Sequence, residues 1–150
     1  MAIVLDSSPL SMITNPRGQG ENLQCRGWFE EALRDGTTIA VPEICWFEIR
    51  RELVRTGAAR GLQRLDALCQ SAAITYLPVT TRILLSASEL WADARRRGQP
   101  TSSNHSLDID VILAASALEF EQSSGESVTV ATTNSKHLLQ FVNATEWKNL

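Results

Sequence analysis

Three acidic side chains, spread along the chain, have the chemistry of a single metal site: Asp6, Glu48 and Asp110. Carboxylates about 4 Å apart repel by about 4 kcal/mol at an effective dielectric of about 20, so a fold that clusters them needs a cation. Oxygen ligands favour Mg²⁺ or Mn²⁺ over Zn²⁺. Such a cation activates water and neutralises a phosphate, which favours phosphodiester hydrolysis. His105 and His137 lack metal-ligand spacing, and we predict both to be surface or loop residues.

The stretch LDIDVILAASAL, Leu107 to Leu118, predicts a helix with Asp108 and Asp110 in its first turn. The positive end of the helix dipole stabilises carboxylates there, which would explain Asp108 without any function. Asp110 shares a stripe with Ala114 and Ala117, small residues that let another element pack close. A carboxylate on that stripe needs a cation or hydrogen-bond donors. Asp110 is therefore the stronger candidate, and Asp108 is kept as a secondary one.

Two polar residues follow predicted buried strands. Asp6 comes after the apolar run 2–5, and Asn134 comes shortly after the β-branched run 128–132. Because parallel strands end at the same edge of a sheet, we expect these two side chains to be neighbours, where open α/β sheets place their sites. Ser8 is the expected N-cap of the helix that follows Asp6.

Glu48 lies in the middle of a predicted helix, where the helix dipole does not stabilise it. It could form a surface ion pair with Arg51 or Arg55, three and seven residues further on, or it could belong to a functional site. The sequence leaves both interpretations open.

Strands and helices alternate through most of the chain, which predicts an α/β sandwich: a mostly parallel sheet of four or five strands with helices on both faces. The predicted strands are 2–5, 38–41, 74–77 and 128–132, with 144–147 as either an edge strand or a tail. The predicted helices are 21–35, 42–56, 58–73, 80–97 and 107–122. Residues 99–106 are predicted to form a polar loop.

The composition is that of a soluble globular protein, with 43% hydrophobic and 21% charged residues. We expect one domain over residues 1–150. The net charge of −3 provides no overall attraction to nucleic acid or to a membrane. The N-terminal apolar run is too short for a signal peptide, and no stretch approaches the roughly 18 apolar residues of a membrane span. Cys25, Cys45 and Cys69 form no CxxC pair, so we predict reduced thiols and a cytoplasmic location.

Four motifs in this order resemble those of PIN domains, in particular the VapC-type toxin nucleases: IVLDSS, PEICWFEIRREL, LDIDVILAASAL and VATTNSKHL. The resemblance runs nearly end to end, and the second motif is the most distinctive. It implies a PIN-like, Rossmann-like sandwich with an acidic Mg²⁺ or Mn²⁺ site. It also implies endonucleolytic cleavage of RNA by a metal-activated water, with 5′-phosphate and 3′-hydroxyl products. A homodimer and a small antitoxin that blocks the site are further implications.

By position, Asp6 matches the first acid of the family, Glu48 the glutamate of the central helix, and Asp110 the aspartate of the D-x-x-x-A-A helix. The resemblance implies that these three hold the metal. Ser7 matches the hydroxyl residue that follows the first acid, and it is expected to support the site.

Asn134 falls where many members carry a fourth aspartate within T-x-D or T-x-N, and Thr132 matches the threonine of that motif. Both are expected to orient the site. An amide adds no charge, which weakens the case for a second metal more than for the first. Asp108 is the residue that could supply additional charge.

Two groups of arginines could hold an RNA backbone if they flank the acidic edge, although each could equally be a solvated face. Arg50 and Arg51 could instead serve the antitoxin or the dimer. The two groups are Arg50, Arg51 and Arg55, and Arg95, Arg96 and Arg97.

Two other functions remain open from the sequence. One is a PIN-fold regulatory module that binds RNA or protein and has lost turnover, which Asn134 would support. The other is a small phosphohydrolase with Asp6 as its nucleophile, although Ser8 stands where a second aspartate would be expected.

Overall fold

A sheet of five parallel strands, in the order β3-β2-β1-β4-β5, forms the centre of the fold. The computed structural model describes residues 1–98 and 104–150. The strands are β1 (Ala2–Leu5), β2 (Thr38–Pro42), β3 (Thr75–Leu77), β4 (Val128–Thr132) and β5 (Ala144–Glu146). β1 and β4 are buried along their whole length, as their continuous apolar or β-branched sequences predict. The predicted parallel sheet is thereby confirmed, and residues 144–146 are its edge strand.

Within residues 1–98 and 104–150, six α-helices connect the strands. They are α1 (Ser7–Thr14), α2 (Glu21–Arg34), α3 (Glu43–Thr56), α4 (Ala59–Gln70), α5 (Thr81–Arg96) and α6 (Asn104–Ser124). The chain moves from β1 to β2 to β3 in one direction and then crosses back to β4. Because such crossovers are right-handed, α1–α4 and α5–α6 are expected on opposite faces of the sheet. The reversal also makes the junction of β1 and β4 a topological switch point.

The start of α6 differs from the sequence-based prediction. The helix begins at Asn104 rather than at Leu107, so Asp108 and Asp110 lie in its second turn. The placement of both aspartates in the first turn is therefore wrong, and helix-start electrostatics do not explain Asp108, because the dipole effect is confined to the first turn. Of the predicted loop 99–106, residues 104–106 are helical, and residues 99–103 lie outside the described residues.

The N-cap of α1 is Asp6 and not Ser8. Asp6 has extended backbone angles (φ −71°, ψ 165°), and its side chain accepts a hydrogen bond from the backbone N–H of Ser7. Aspartate and serine are comparable N-caps, so residue type alone could not distinguish them. The strand therefore passes into the helix at the first acidic residue itself.

The core joins both sides of the sheet to the helices. Leu113 and Ala117 of α6 belong to the same buried cluster as β1 and β4, and the smaller cluster between α5 and α6 includes Ile83 and Val111. The three cysteines are free thiols, as predicted. Within 1–98 and 104–150, no helix is both long and apolar enough to cross a membrane.

Arg64→Ala is expected to lower the free energy of unfolding by about 1 kcal/mol, because the Arg64 guanidinium links α4 to the end of α1. Its Nε donates to the carbonyl of Thr14 at 2.9 Å and its Nη2 to that of Ile13 at 3.4 Å. Urea denaturation measures the loss. Arg60→Ala, an exposed arginine one turn earlier on α4, is the matched control and should change stability by less than about 0.5 kcal/mol. Equal losses from both variants would contradict this role of Arg64.

Candidate active site

The carboxylate of Asp6 is held rigidly at the switch point between β1 and β4. Its Oδ1 accepts from the backbone N–H of Ser7 at 2.6 Å, and its Oδ2 accepts from the hydroxyl of Thr132 at 2.7 Å. The backbone N–H of Asp6 donates to the carbonyl of Ala131 at 2.9 Å. Thr132 is buried at the end of β4, so two adjacent strands position one carboxylate. Each oxygen keeps a second lone pair for another partner.

Glu48 and Asp110 bring two further negative charges to Asp6. Burial raises the pKa of Asp6, while the hydrogen bonds from Thr132 and Ser7 lower it and the charge of Glu48 raises it. Burial and then the charge of Asp6 raise the pKa of Asp110 from 3.8 to about 6, and Glu48 adds to the rise. α1, α3 and α6 therefore bring together the three carboxylates that the sequence selected.

Glu48 fits both interpretations that its position left open. Its Oε2 lies 3.7 Å from Nη2 of Arg51, which is the ion pair expected at this spacing. The same half-buried carboxylate acts on the pKa values of Asp6 and Asp110. Arg55 pairs instead with Glu52, at 2.8 Å.

His137 lies in a short turn, as a loop histidine should, but it also belongs to the surroundings of this cluster, which the sequence did not predict. It lies in the 3₁₀ turn Ser135–His137 after β4 and is half-buried. Its charge lowers the pKa values of Asp6 and Asp110. Its Nδ1 is buried and has no hydrogen-bond partner among the described residues. No spacing in the sequence indicates that His137 lies near the cluster. Its position depends on the short turn after β4. His105 is exposed, as predicted.

Asn134 is exposed, and its side chain is used within its own turn. Its Oδ1 accepts from the backbone N–H of Lys136 at 3.3 Å, and its backbone N–H donates to Thr132 Oγ1 at 3.1 Å. Asn134 thus supports the threonine that holds Asp6. A direct role of its amide at the metal stays a prediction.

Asp108 lies on another surface. It is exposed and lines a groove between α5 and α6 together with Trp91 and Val111. The charged residues that shift the pKa of Asp6 are Glu48 and His137, and those that shift the pKa of Asp110 are Asp6, Glu48 and His137. The structure therefore does not bring Asp108 to the cluster, although its sequence neighbour Asp110 is there.

Five of the six predicted RNA-binding arginines have local partners among the described residues. Arg50 lies over the ring of Trp46, with its Cζ 5.6 Å from the centroid, and Arg95 lies 5.0 Å over Trp91. Arg97 pairs with Asp93 at 3.3 Å, and Arg96 is exposed.

Among the described residues, Arg51 is the arginine that forms an ion pair with a carboxylate of the cluster. An RNA-binding role stays a prediction for all six arginines.

Comparisons with known proteins identify the family. The sequence profile of the PIN domain matches residues 3–135. The chain belongs to the PIN-domain family. No curated protein sequence matches it.

Solved structures with the same fold include three toxin–antitoxin complexes. VapBC2 from Rickettsia felis, bound to a DNA fragment from their promoter, is 16% identical over 98% of this chain and 99% of that one, with a TM-score of 0.70. VapBC-1 from nontypeable Haemophilus influenzae is 14% identical over 99% of both chains, with a TM-score of 0.63. DNA-bound VapBC from Salmonella typhimurium is 16% identical over 98% of both chains, with a TM-score of 0.61. At these identities the similarity shows the fold.

An open cleft of about 430 Å³ leads to the acidic cluster of this PIN domain. It joins a second cleft of about 410 Å³ between α1, α3 and α4, because Ser11, Ile49 and Leu53 line both. Glu48 and Thr133 lie at the acidic end, and Ala59 lies at the far end. The two clefts together form a groove that runs from Glu48 of the cluster to the start of α4.

The oxygen ligands of the cluster suit a hard divalent cation, and PIN-domain nucleases generally use one. Among residues 1–98 and 104–150, no three His, Cys, Asp or Glu side chains already form a ligand set. This arrangement leaves water and substrate phosphate as further ligands of a bound cation, which is the usual pattern for Mg²⁺.

Asp110→Asn is expected to stabilise the cation-free protein at neutral pH. Between pH 3.8 and about 6 the folded state holds the Asp110 proton more tightly than the unfolded state, so stability falls as pH rises through this window. Removing the charge should raise the free energy of unfolding at pH 7 by about 1 kcal/mol, after a discount for solvent screening of this half-buried group. The gain should vanish near pH 4. Urea denaturation in chelator across this range measures it.

Asp108→Asn is the matched control for this measurement, because it removes an exposed carboxylate two residues away on the same helix. Its stability difference from the parent should not follow the same curve. A gain for Asp110→Asn that is equal at pH 4 and pH 7 would show that charge repulsion is not its source.

Proposed function

We propose that this PIN-domain protein is a divalent-cation-dependent endoribonuclease of the VapC type, the toxin of a toxin–antitoxin pair. The observation that carries the proposal is the convergence of Asp6, Glu48 and Asp110 at the switch point, where their charges act on one another. An acidic cluster at the mouth of an open groove suits an extended, negatively charged substrate only when a cation neutralises it. VapBC complexes are among the solved structures that share this fold.

Asp6, Glu48 and Asp110 would hold Mg²⁺ or Mn²⁺. When bound, the cation would activate a water molecule and neutralise charge on the scissile phosphate, with 5′-phosphate and 3′-hydroxyl products expected. Thr132 and the backbone N–H of Ser7 orient Asp6, and they leave a lone pair free on each of its oxygens. The half-buried imidazole of His137 offsets part of the negative charge when no cation is present.

Cleavage of single-stranded and structured RNAs, with Mg²⁺, Mn²⁺ or chelator, tests the proposal. We expect cleavage with either cation and none with chelator. Asp110→Asn should remove most of the activity, while Asp108→Asn should cleave like the parent, since its carboxylate lies outside the cluster. Cation-independent cleavage, or equal loss from both variants, would refute the proposed site.

A regulatory module without turnover is the second candidate, and the use of the Asn134 amide within its own turn favours it. In that case the protein would bind Mn²⁺, measured by calorimetry, yet cleave none of these RNAs. The cation would then stabilise a binding surface rather than a reaction.

The groove from Glu48 to α4 is the proposed binding site of the antitoxin. Its lining is largely apolar away from Glu48, which suits the apolar face of a partner segment. A segment in this groove would end beside the acidic cluster and block it. The homodimer and the cytoplasmic location stay predictions.

A further inference from the structure

An exposed aromatic ring adjoins the acidic cluster on α3. Phe47 precedes Glu48, and 48% of its surface is exposed. The Cζ atom of Arg51 lies 5.8 Å from the centroid of the Phe47 ring. Nη2 of the same arginine lies 3.7 Å from Oε2 of Glu48. One guanidinium therefore bridges an exposed ring and a carboxylate of the candidate active site.

Helix geometry places these three side chains on one side of α3. Arg51 is four residues after Phe47 and three after Glu48, the two spacings at which helical side chains meet. The neighbouring pair of Trp46 and Arg50 differs, because Trp46 is half-buried and its Nε1 donates to Asp66 of α4 at 3.0 Å. Trp46 is thus used inside the fold, whereas nearly half of Phe47 remains available for a partner.

We propose that Phe47 and Arg51 form a subsite for an unpaired nucleobase next to the scissile phosphate. This inference rests on the proposed ribonuclease function and names its substrate class as single-stranded or looped RNA. Bases that are not paired stack on aromatic rings and on guanidinium planes, and this stacking is tolerant of sequence. A base in a duplex has no free face to offer.

The charges around the ring favour RNA over an apolar protein partner. Arg51 is paired with Glu48, the carboxylate that a cation would engage. Once a cation neutralises Glu48, Arg51 needs another anion, and the phosphate next to the stacked base supplies one. An apolar partner on Phe47 would cover the guanidinium without replacing that anion, which is unfavourable. Val54, seven residues after Phe47 on α3, is also exposed, and a protein interface at this surface would cover both side chains.

Fluorescence anisotropy with a labelled, unstructured single-stranded RNA tests the subsite, in Ca²⁺ so that an oxygen-coordinated cation is present and with gel analysis to confirm that the RNA stays intact. Phe47→Ala should weaken binding roughly 5- to 100-fold, the range for loss of one stacked base. Phe47→Tyr should bind like the parent, and Phe47→Leu should bind as weakly as the alanine variant, because it keeps apolar volume but has no flat ring. The same sequence as a duplex should bind all four proteins alike. Leu23→Ala, an exposed apolar residue on α2, is the control and should not change binding.

The outcomes separate this inference from the proposed function. If Phe47→Ala binds the single strand as tightly as the parent while the parent cleaves RNA, the subsite is wrong and the nuclease stands. If the parent binds through Phe47 but cleaves nothing with Mg²⁺ or Mn²⁺, the subsite stands and the nuclease fails. A lower oligomeric state of Phe47→Leu by light scattering would assign the ring to a protein interface and overturn the subsite.

Discussion

Asp6→Asn is expected to slow RNA cleavage by about 100- to 1,000-fold, because several kcal/mol of cation-derived stabilisation of the transition state depend on its negative charge. Both oxygens of Asp6 are already oriented, by Ser7 and Thr132, at the point where β1 enters α1. Initial rates at saturating Mg²⁺ measure the effect.

The fold should tolerate this substitution, so the loss can be ascribed to chemistry. Asparagine is as good an N-cap as aspartate, and its Oδ1 can still accept from the N–H of Ser7. The hydroxyl of Thr132 can accept from the new amide instead of donating to a carboxylate. Thermal unfolding in chelator should therefore show a folded variant.

A matched comparison is available in Asp108→Asn, which removes an equal charge from the α5–α6 groove. It should leave the cleavage rate within about twofold, as surface charges outside a site usually do. If Asp6→Asn retains the parent's rate, the metal site lies elsewhere and the proposed function loses its main support.

The sheet could be predicted because buried parallel strands carry a strong local signal. β1 and β4 are continuous apolar or β-branched runs, and their burial follows directly. Asp6 could be selected for the same reason, since it directly follows the first run. Helix ends were less certain: Asn104 to Ser106 contain no helix breaker, so the helix extends back beyond the apolar pattern.

The environment of the site could be predicted only in part, because contacts between distant elements have no local signal. The sequence could not reveal that Thr132 bonds Asp6 across β1 and β4, or that His137 faces the same cluster. Glu48 could be part of a surface ion pair or of the acidic cluster, and in the structure it both pairs with Arg51 and acts on the pKa of Asp110. Asp108 and Asp110 differ by only two residues, yet helical rotation of about 200° directs them to different surfaces.

A large side chain in the groove that joins the acidic cluster to α4 should block the antitoxin. Ala59→Trp should weaken binding of the antitoxin by at least about 30-fold, because a large ring at the start of α4 would fill the far end of the groove. Loss of one strong interface contact costs about 2 kcal/mol, which corresponds to this factor. Ala59 is exposed and lines the groove with Leu53 and Gly61. A Cβ atom at Gly61 would lie 3.0 Å from Cδ2 of Leu53, so α4 lies close against α3 here.

Calorimetry with the proposed antitoxin measures the affinity, and RNA cleavage measures release from inhibition. Ala67→Trp places the same ring at an exposed position on the same helix but outside both clefts, so it should bind the antitoxin normally. Ala59→Trp should still cleave RNA, because Ala59 lies at the end of the groove away from Glu48. It should therefore be an active nuclease that the antitoxin no longer silences. Undiminished inhibition of Ala59→Trp would place the antitoxin on another surface, while leaving the acidic cluster as the site of cleavage.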